Sequence, residues 1–217
     1  MNYYWMNVLA CTIFIPALVG LIRLRKINVM YYPFILLLWI GGVNEVISYF
    51  TAKYFQNTAP NTNIYGLLET LLILWQFKRW EGFGRLPKLF PLLVLFVSAL
   101  WVVENFITDS FYNFNSYFTV SSAVIIVFAS IIMVNKILIN ERKGLLKNPI
   151  FIICICFIVS YAYGGIIEIL WDYGVQVNDA LSINIYNILI FINLFVYIVY
   201  SYAILCMRKK LRFTMLL

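Results

Sequence analysis

The sequence predicts an all-α integral membrane protein with seven transmembrane helices. Of its 217 residues, 64% are hydrophobic and only 12% are charged, and the mean hydropathy is +0.89. A soluble domain carries about 25% charged residues, so this composition excludes an ordinary soluble fold. The basic residues stand in short clusters between apolar runs, as is typical of the loops between membrane-spanning helices.

Seven apolar runs are long enough to cross a bilayer, because a spanning helix needs about 20 residues. We predict spans near Trp5–Ile22, Tyr31–Phe50, Asn63–Phe77, Leu89–Ile107, Tyr117–Val134, Pro149–Trp171 and Ile183–Cys206. The third run is short, and we expect its helix to extend at one end. No linker or low-complexity tract divides the chain, so residues 1–217 are predicted to form a single membrane domain.

The basic residues predict the orientation of the chain. Fifteen of the sixteen follow the first, third, fifth or seventh run, and only Lys53 lies on the other side. Short loops with this bias are cytoplasmic, so the N-terminus is predicted outside and the C-terminus in the cytoplasm, with the bacterial inner membrane as the compartment. The net charge of +7 then reflects topology and contact with anionic lipid headgroups, and no nucleic-acid partner is predicted.

Two motifs occur twice at nearly the same offset. Gly41-Gly42-Val43-Asn44-Glu45 recurs 123 positions later as Gly164-Gly165-Ile166-Ile167-Glu168, and Asn63-Ile64-Tyr65 recurs 121 positions later as Asn184-Ile185-Tyr186. Such self-similarity indicates an internal duplication. Spans two and three then correspond to spans six and seven, which predicts two units of three helices joined by one helix.

This 3+1+3 organisation divides the chain into unit one (about 5–78), a linking helix (about 89–107) and unit two (about 117–207). A single linking helix keeps both units in the same orientation, which makes the repeat parallel. The layout is similar to that of the SWEET sugar transporters and the PnuC vitamin transporters. The chain contains no Pro-Gln dipeptide, so it lacks the PQ-loop signature.

Four glutamates lie within predicted spans, and all four fall in the outer halves, ~6–10 Å below the outer boundary. They are Glu45, Glu69, Glu104 and Glu168. Carboxylates in a membrane are costly and usually functional, so we expect an outward-facing cavity that binds a cation, an amine or a proton. The predicted ligand-binding residues are Glu45, Glu168, Glu69, Asn63, Tyr65, Asn184 and Tyr186. The alternative is that these groups are polar helix–helix contacts near water, which is the favoured interpretation for Glu104.

Glycines and tyrosines extend the predicted site along two helices. Gly41 and Gly42, and likewise Gly164 and Gly165, lie one turn before a glutamate on the same helix face, which predicts close helix packing. In span seven, Tyr186, Asn193, Tyr197 and Tyr200 share one face, and the last three form a possible pathway toward the cytoplasm. The alternative is that these tyrosines are buried and paired with neighbouring helices.

If Glu45 and Glu168 approach each other, both cannot be charged cheaply, so one is protonated or a cation lies between them. The chain contains no histidine, which excludes His-ligated zinc and haem, and it has no G-x-S-x-G or H-E-x-x-H motif. No catalytic residue, metal or cofactor is predicted, and enzyme activity is not favoured. Beyond the lipid bilayer, the predicted partner is an unidentified small solute.

The function that this pattern favours is transport of a small cationic or polar solute. Two alternatives stay open. One is a seven-helix sensor or receptor that signals through a separate cytoplasmic protein partner, and the other is a membrane accessory subunit. Oligomer formation is also open.

Overall fold

The computed structural model of the chain describes residues 11–84, 86, 88–108, 111–140, 144–172 and 179–207. For residues 171–172 and 179–186 it describes the backbone alone. The helices, in chain order, are α1 (Phe14–Arg23), α2 (Tyr32–Phe55), α3 (Ala59–Arg79), α4 (Leu89–Val102), α5 (Ser116–Asn140), α6 (Pro149–Asp172) and α7 (Asp179–Cys206). The predicted all-α class is confirmed, and the described residues form seven α-helices.

Five helical stretches are long and apolar enough to cross a membrane, which supports an integral membrane protein. They are Val29–Phe55, Leu89–Ile107, Ser116–Asn140, Pro149–Leu170 and Asn187–Cys206. The apolar helix Cys11–Arg23 is shorter, and residues 5–10 of the predicted first span lie outside the described residues.

α3 is long but more polar than the other long helices. It extends beyond the predicted Asn63–Phe77 at both ends and carries Asn63, Glu69 and Gln76. Asn63 and Gln76 are buried against neighbouring elements. The polar groups of α3 are therefore shielded by protein, which is how a polar helix is tolerated in an apolar surrounding.

Gln76 attaches the end of α3 to the beginning of α2. Its Nε2 donates to the Met30 carbonyl at 2.7 Å, and its Oε1 accepts from the Phe34 N–H at 2.7 Å. The first N–H groups of a helix have no partner within the helix, so a side chain from a neighbour must satisfy them when they are buried. This contact fixes how α2 and α3 meet.

Glu104 likewise satisfies the first N–H groups of α5. The last turns of α4 continue as a π-helix over Val103–Ile107, and this brings the buried Glu104 to the start of α5. Its carboxylate accepts from the N–H groups of Tyr117 at 3.0 Å and Phe118 at 2.7 Å. Glu104 thus caps a neighbouring helix, which agrees with the structural interpretation that the sequence favours for it.

Six helices form a closed ring, and α4 lies outside it. Going round the ring, α1 packs on α2, α2 on α3, α3 on α5, α5 on α6, α6 on α7, and α7 on α1. α4 packs on the outside against α3 and α5. The ring therefore has an interior to which six helices can contribute side chains.

One end of this interior is filled by aromatic side chains, here called the aromatic layer: Phe34, Phe77, Phe157 and Tyr200. Phe34 contacts Phe157 and Tyr200 at ring-centroid distances of 6.3 and 5.0 Å, and Phe157 contacts Phe77 and Tyr200 at 6.1 Å each. All four rings are buried. The layer lies where α2 begins and α3 ends, so it closes that end of the ring.

Candidate functional site

A cavity of about 370 Å³ lies inside the ring, next to the aromatic layer. Its walls come from the turn before α1 and from α2, α3, α5, α6 and α7, and Phe157 and Tyr200 of the aromatic layer belong to its lining. The cavity is thus built by five helices of the ring together with the turn that precedes the sixth.

Three carboxylates line the cavity: Glu45 of α2, Glu69 of α3 and Glu168 of α6. Each is partly buried. Among the described residues of the lining there is no lysine or arginine. Glu45 and Glu69 lie within range of direct like-charge repulsion. The carboxylates therefore give the cavity a negative potential that favours a positively charged occupant.

One electrostatic neighbour that the structure shows for Glu45 is the carboxyl group of Glu69. The sequence suggests instead a pair between Glu45 and Glu168, because the repeat relates these two residues. Both do line the same cavity. Glu69 has no counterpart in the repeat, since position 190 is an isoleucine, so the repeat alone could not identify it as the partner.

Tyrosine hydroxyls surround the carboxyl group of Glu69. The Tyr65 hydroxyl, one turn earlier on α3, donates to Glu69 Oε1 at 3.1 Å. The Tyr161 hydroxyl from α6 interacts with the same carboxyl group. Tyr161 is absent from the sequence-predicted site. The available signal was its spacing, because Tyr161 lies two helical turns before Glu168 on the same face of α6.

The predicted pathway residues of α7 belong to this same cavity. Asn193, Tyr197 and Tyr200 all line it, and Tyr200 also forms part of the aromatic layer. Tyr197 interacts electrostatically with Glu45 and Glu69. The predicted site residues Asn184 and Tyr186 lie outside the residues whose side chains are described.

The first glycine pair packs against the start of the chain's first helix. A Cβ on Gly41 would lie 2.6 Å from Ile13 Cδ1, and one on Gly42 would lie 2.8 Å from the Phe14 ring. Both distances are shorter than a carbon–carbon contact allows, so the small residues permit α1 and α2 to approach.

Gly164 and Gly165, the second glycine pair, have different roles. A Cβ on Gly165 would lie 3.3 Å from Ala123 Cβ of α5, whereas one on Gly164 would meet no atom of the described residues within 4 Å. Both residues line the cavity. Gly165 is therefore part of the α5–α6 packing, and Gly164 leaves room inside the cavity, which differs from the packing role predicted for it.

Asn63 lies outside the cavity lining, although the sequence places it in the site. Its Nδ2 donates to the carbonyls of Phe111 and Asn113 at 3.2 and 2.8 Å, and its Oδ1 accepts from the Asn115 N–H at 3.3 Å. Its backbone carbonyl accepts from Trp101 Nε1 at 2.8 Å. Asn63 thus holds the segment before α5, and the site described by the structure does not include it.

The lining of the cavity carries three kinds of groups. Three carboxyl groups make it acidic, α7 contributes hydroxyl and amide groups, and aromatic rings lie at one end. Such a surface can bind and orient a small cation by charge, by hydrogen bonds and by ring faces. Comparisons with models of known protein families, with curated proteins and with solved structures found no match.

Proposed function

We propose that this protein is a membrane transporter that takes a small cationic or polar solute into the cavity from the outer face. One observation carries the proposal: three carboxylates line a cavity of about 370 Å³ whose described lining includes no basic side chain. Carboxylates within a membrane region are costly, and they are usually retained for a ligand or a proton.

The proposal includes seven crossings, an outer N-terminus, a cytoplasmic C-terminus and the bacterial inner membrane. The distribution of basic residues supports it, although Arg85, Arg142, Lys143 and residues 208–212 lie outside the described residues. Single-cysteine variants provide the test. In a background without the native cysteines, a membrane-impermeant maleimide should label Asn57→Cys, at an exposed position before α3, on intact cells, and it should label Lys88→Cys, at an exposed position before α4, only after the membrane is opened. The reverse pattern would contradict the orientation.

In this orientation the carboxylates face outward and the aromatic layer faces the cytoplasm. Glu45 lies eleven residues after Phe34 on α2, and Glu168 lies eleven residues after Phe157 on α6. Each separation is about 16 Å along the helix axis. The solute would therefore enter past the carboxylates and be stopped by closed aromatic rings, which corresponds to an outward-facing state.

The 3+1+3 repeat suggests how the protein would change from the outward-facing to an inward-facing state. Phe34 and Phe157 are 123 positions apart, the same offset that relates Glu45 to Glu168, and their rings contact each other at 6.3 Å. Contact between equivalent residues is expected where a two-fold axis passes between repeats. The ring order agrees, because α1–α7 and α3–α5 are equivalent contacts under that axis. Rocking of the two units about this axis would separate the two rings.

Transport is tested with purified protein in liposomes. A concentration jump of small amines, inorganic cations or neutral polar solutes should produce solute uptake for at least one class, measured with radiolabelled compounds. Glu69→Gln should abolish that uptake, and Glu81→Gln, at an exposed position outside the cavity, should not. Absence of uptake for every class would contradict a transport function.

A sensor or receptor is the second candidate, and the aromatic layer favours it, since a closed inner end suits a protein that binds a solute without passing it on. The basic segment that contains Lys136 and Lys147 would then be the surface for a cytoplasmic protein partner. Binding of a solute in detergent without uptake into liposomes would support this candidate over the transporter.

A further inference from the structure

We infer that the occupant of the cavity is a protonated organic amine that carries an apolar group. This inference rests on the proposed function and narrows its solute to one chemical class. Three features of the lining carry it: a buried hydroxyl without a partner, carboxylates that are not arranged for a metal ion, and an apolar wall beside them.

Ser160 of α6 supplies the hydroxyl. Ser160 is one of the residues that line the cavity, and its Oγ is buried and has no hydrogen-bond partner among the described residues. Serines elsewhere in this bundle bond to the carbonyl one turn earlier, as Ser130 does to Ile126 at 2.7 Å and Ser201 to Tyr197 at 2.9 Å. An unsatisfied buried hydroxyl costs stability, so a group that enters the cavity is its natural partner. An ammonium N–H is a suitable donor to it.

The carboxylates distinguish an ammonium ion from a metal ion. Among the residues that the structure describes, no three His, Cys, Asp or Glu side chains converge closely enough to hold a metal. A metal ion needs several converging oxygens, for example six to eight around Ca²⁺. A primary ammonium has three N–H donors and is satisfied by a few acceptors. Glu45 and Glu69, which repel each other, gain from a positive group near both.

The remaining wall of the cavity is apolar. Leu37, Leu38 and Val196 line it together with the rings of Phe157 and Tyr197. Its volume of about 370 Å³ falls within the range of about 300–1,000 Å³ found for small-molecule sites. A hydrocarbon or aromatic body fits against this wall, and a ring face can also attract the cationic head. A strongly hydrated inorganic cation would leave the apolar wall unused.

Binding calorimetry on the purified full chain tests the inference with four probes. They are 2-phenylethylamine, which is protonated at neutral pH, its neutral isostere 2-phenylethanol, its N,N,N-trimethyl derivative, and Na⁺. We expect the amine to bind at least about ten-fold more tightly than the alcohol, because only the amine is charged. We expect the trimethyl derivative to bind more weakly than the amine, because it has no N–H to donate.

Two variants connect these affinities to residues. Ser160→Ala should weaken 2-phenylethylamine binding roughly three- to ten-fold, the worth of one hydrogen bond, and should not change the affinity of the trimethyl derivative. Glu69→Gln should weaken the binding of both 2-phenylethylamine and its trimethyl derivative. Ser130→Ala, the matched control outside the cavity, should weaken neither. Ser160→Ala should also leave the ligand-free protein at least as stable as the wild type, since it removes an unsatisfied hydroxyl.

Each outcome decides the inference. Equal binding of amine and alcohol overturns it, and so does an equal effect of Ser160→Ala on the amine and its trimethyl derivative. Glu69-dependent binding of Na⁺ without amine binding also overturns it but leaves a cation transporter standing. If none of the probes binds, the inference falls, and the uptake experiment with the wider set of solutes then decides the proposed function separately.

Discussion

Replacing Glu104 and Glu69 by glutamine, one at a time, separates a structural carboxylate from a binding one. Both residues are glutamates within predicted spans, and the sequence alone assigns them similar depths. Glu104 caps α5 from the π-helical end of α4. Glu69 lines the cavity and accepts from the Tyr65 hydroxyl. We therefore expect Glu104→Gln to lower the stability of the fold and Glu69→Gln to lower solute binding.

The magnitude for Glu104→Gln follows from its two hydrogen bonds. The side chain is 5% exposed, and its two oxygens accept at 3.0 and 2.7 Å. Hydrogen bonds to a charged group are worth about 1.5–3 kcal/mol each. Glutamine keeps one acceptor, but its amide nitrogen would face the other N–H without bonding to it. The expected loss in the free energy of unfolding is about 2–4 kcal/mol.

Glu69→Gln should cost much less stability. The glutamine oxygen can still accept from Tyr65, and the like-charge repulsion with Glu45 disappears. We expect a change within about 1 kcal/mol of wild type. Its loss should be in solute binding and uptake, whereas Glu104→Gln should retain both as long as it is folded.

Unfolding by SDS titration in mixed micelles, followed by tryptophan fluorescence, measures the stability of both variants. Glu81→Gln, at an exposed position, controls for the chemical change. A Glu104→Gln protein as stable as wild type would refute the capping role. A Glu104→Gln protein that is fully folded but no longer binds the solute would show that Glu104 belongs to the binding site.

Three further predictions concern packing and charge. Gly42→Ala should destabilise the protein by about 1 kcal/mol or more, because the new Cβ would lie 2.8 Å from the Phe14 ring. Gly164→Ala, whose Cβ would meet no described atom within 4 Å, should leave the stability unchanged. An unfolding titration measures both. A double-mutant cycle with Phe34→Leu and Phe157→Leu should give a coupling energy of about 0.5–1.5 kcal/mol, and a value of zero would contradict their ring contact. Amine affinity measured by calorimetry should fall as the pH is lowered, because protonation removes the carboxylate charges, and an affinity independent of pH down to pH 4 would contradict their role.

Features that depend on position along the chain could be predicted from the sequence. The number and class of the helices follow from hydrophobic runs of sufficient length. Counting residues places Glu168 near the end of α6, whereas Glu45 and Glu69 lie near the middle of α2 and α3, because both helices extend beyond the predicted spans. Glu45, Glu69 and Glu168 line one cavity with Tyr65, and ligand binding there stays a prediction.

Features that depend on the rotation of a helix about its axis were decided only by tertiary packing. The sequence predicts for Glu104 a depth similar to that of the other glutamates, yet the π-helical turn brings it to the start of α5 instead of the cavity. Asn63 and Tyr65 are two residues apart, so they point to different sides of α3, and only Tyr65 reaches the lining.

The sequence by itself thus determined an all-α protein with helices apolar enough for a membrane, because hydropathy acts along one dimension, the chain. The tertiary structure decided that Glu69 neighbours Glu45, that Tyr161 and Ser160 join the cavity, and that four aromatic rings close one end of it. These contacts arise between helices distant in the chain. Their geometry is set by how ridges, glycines and rings fit together when the helices pack, which no single helix encodes.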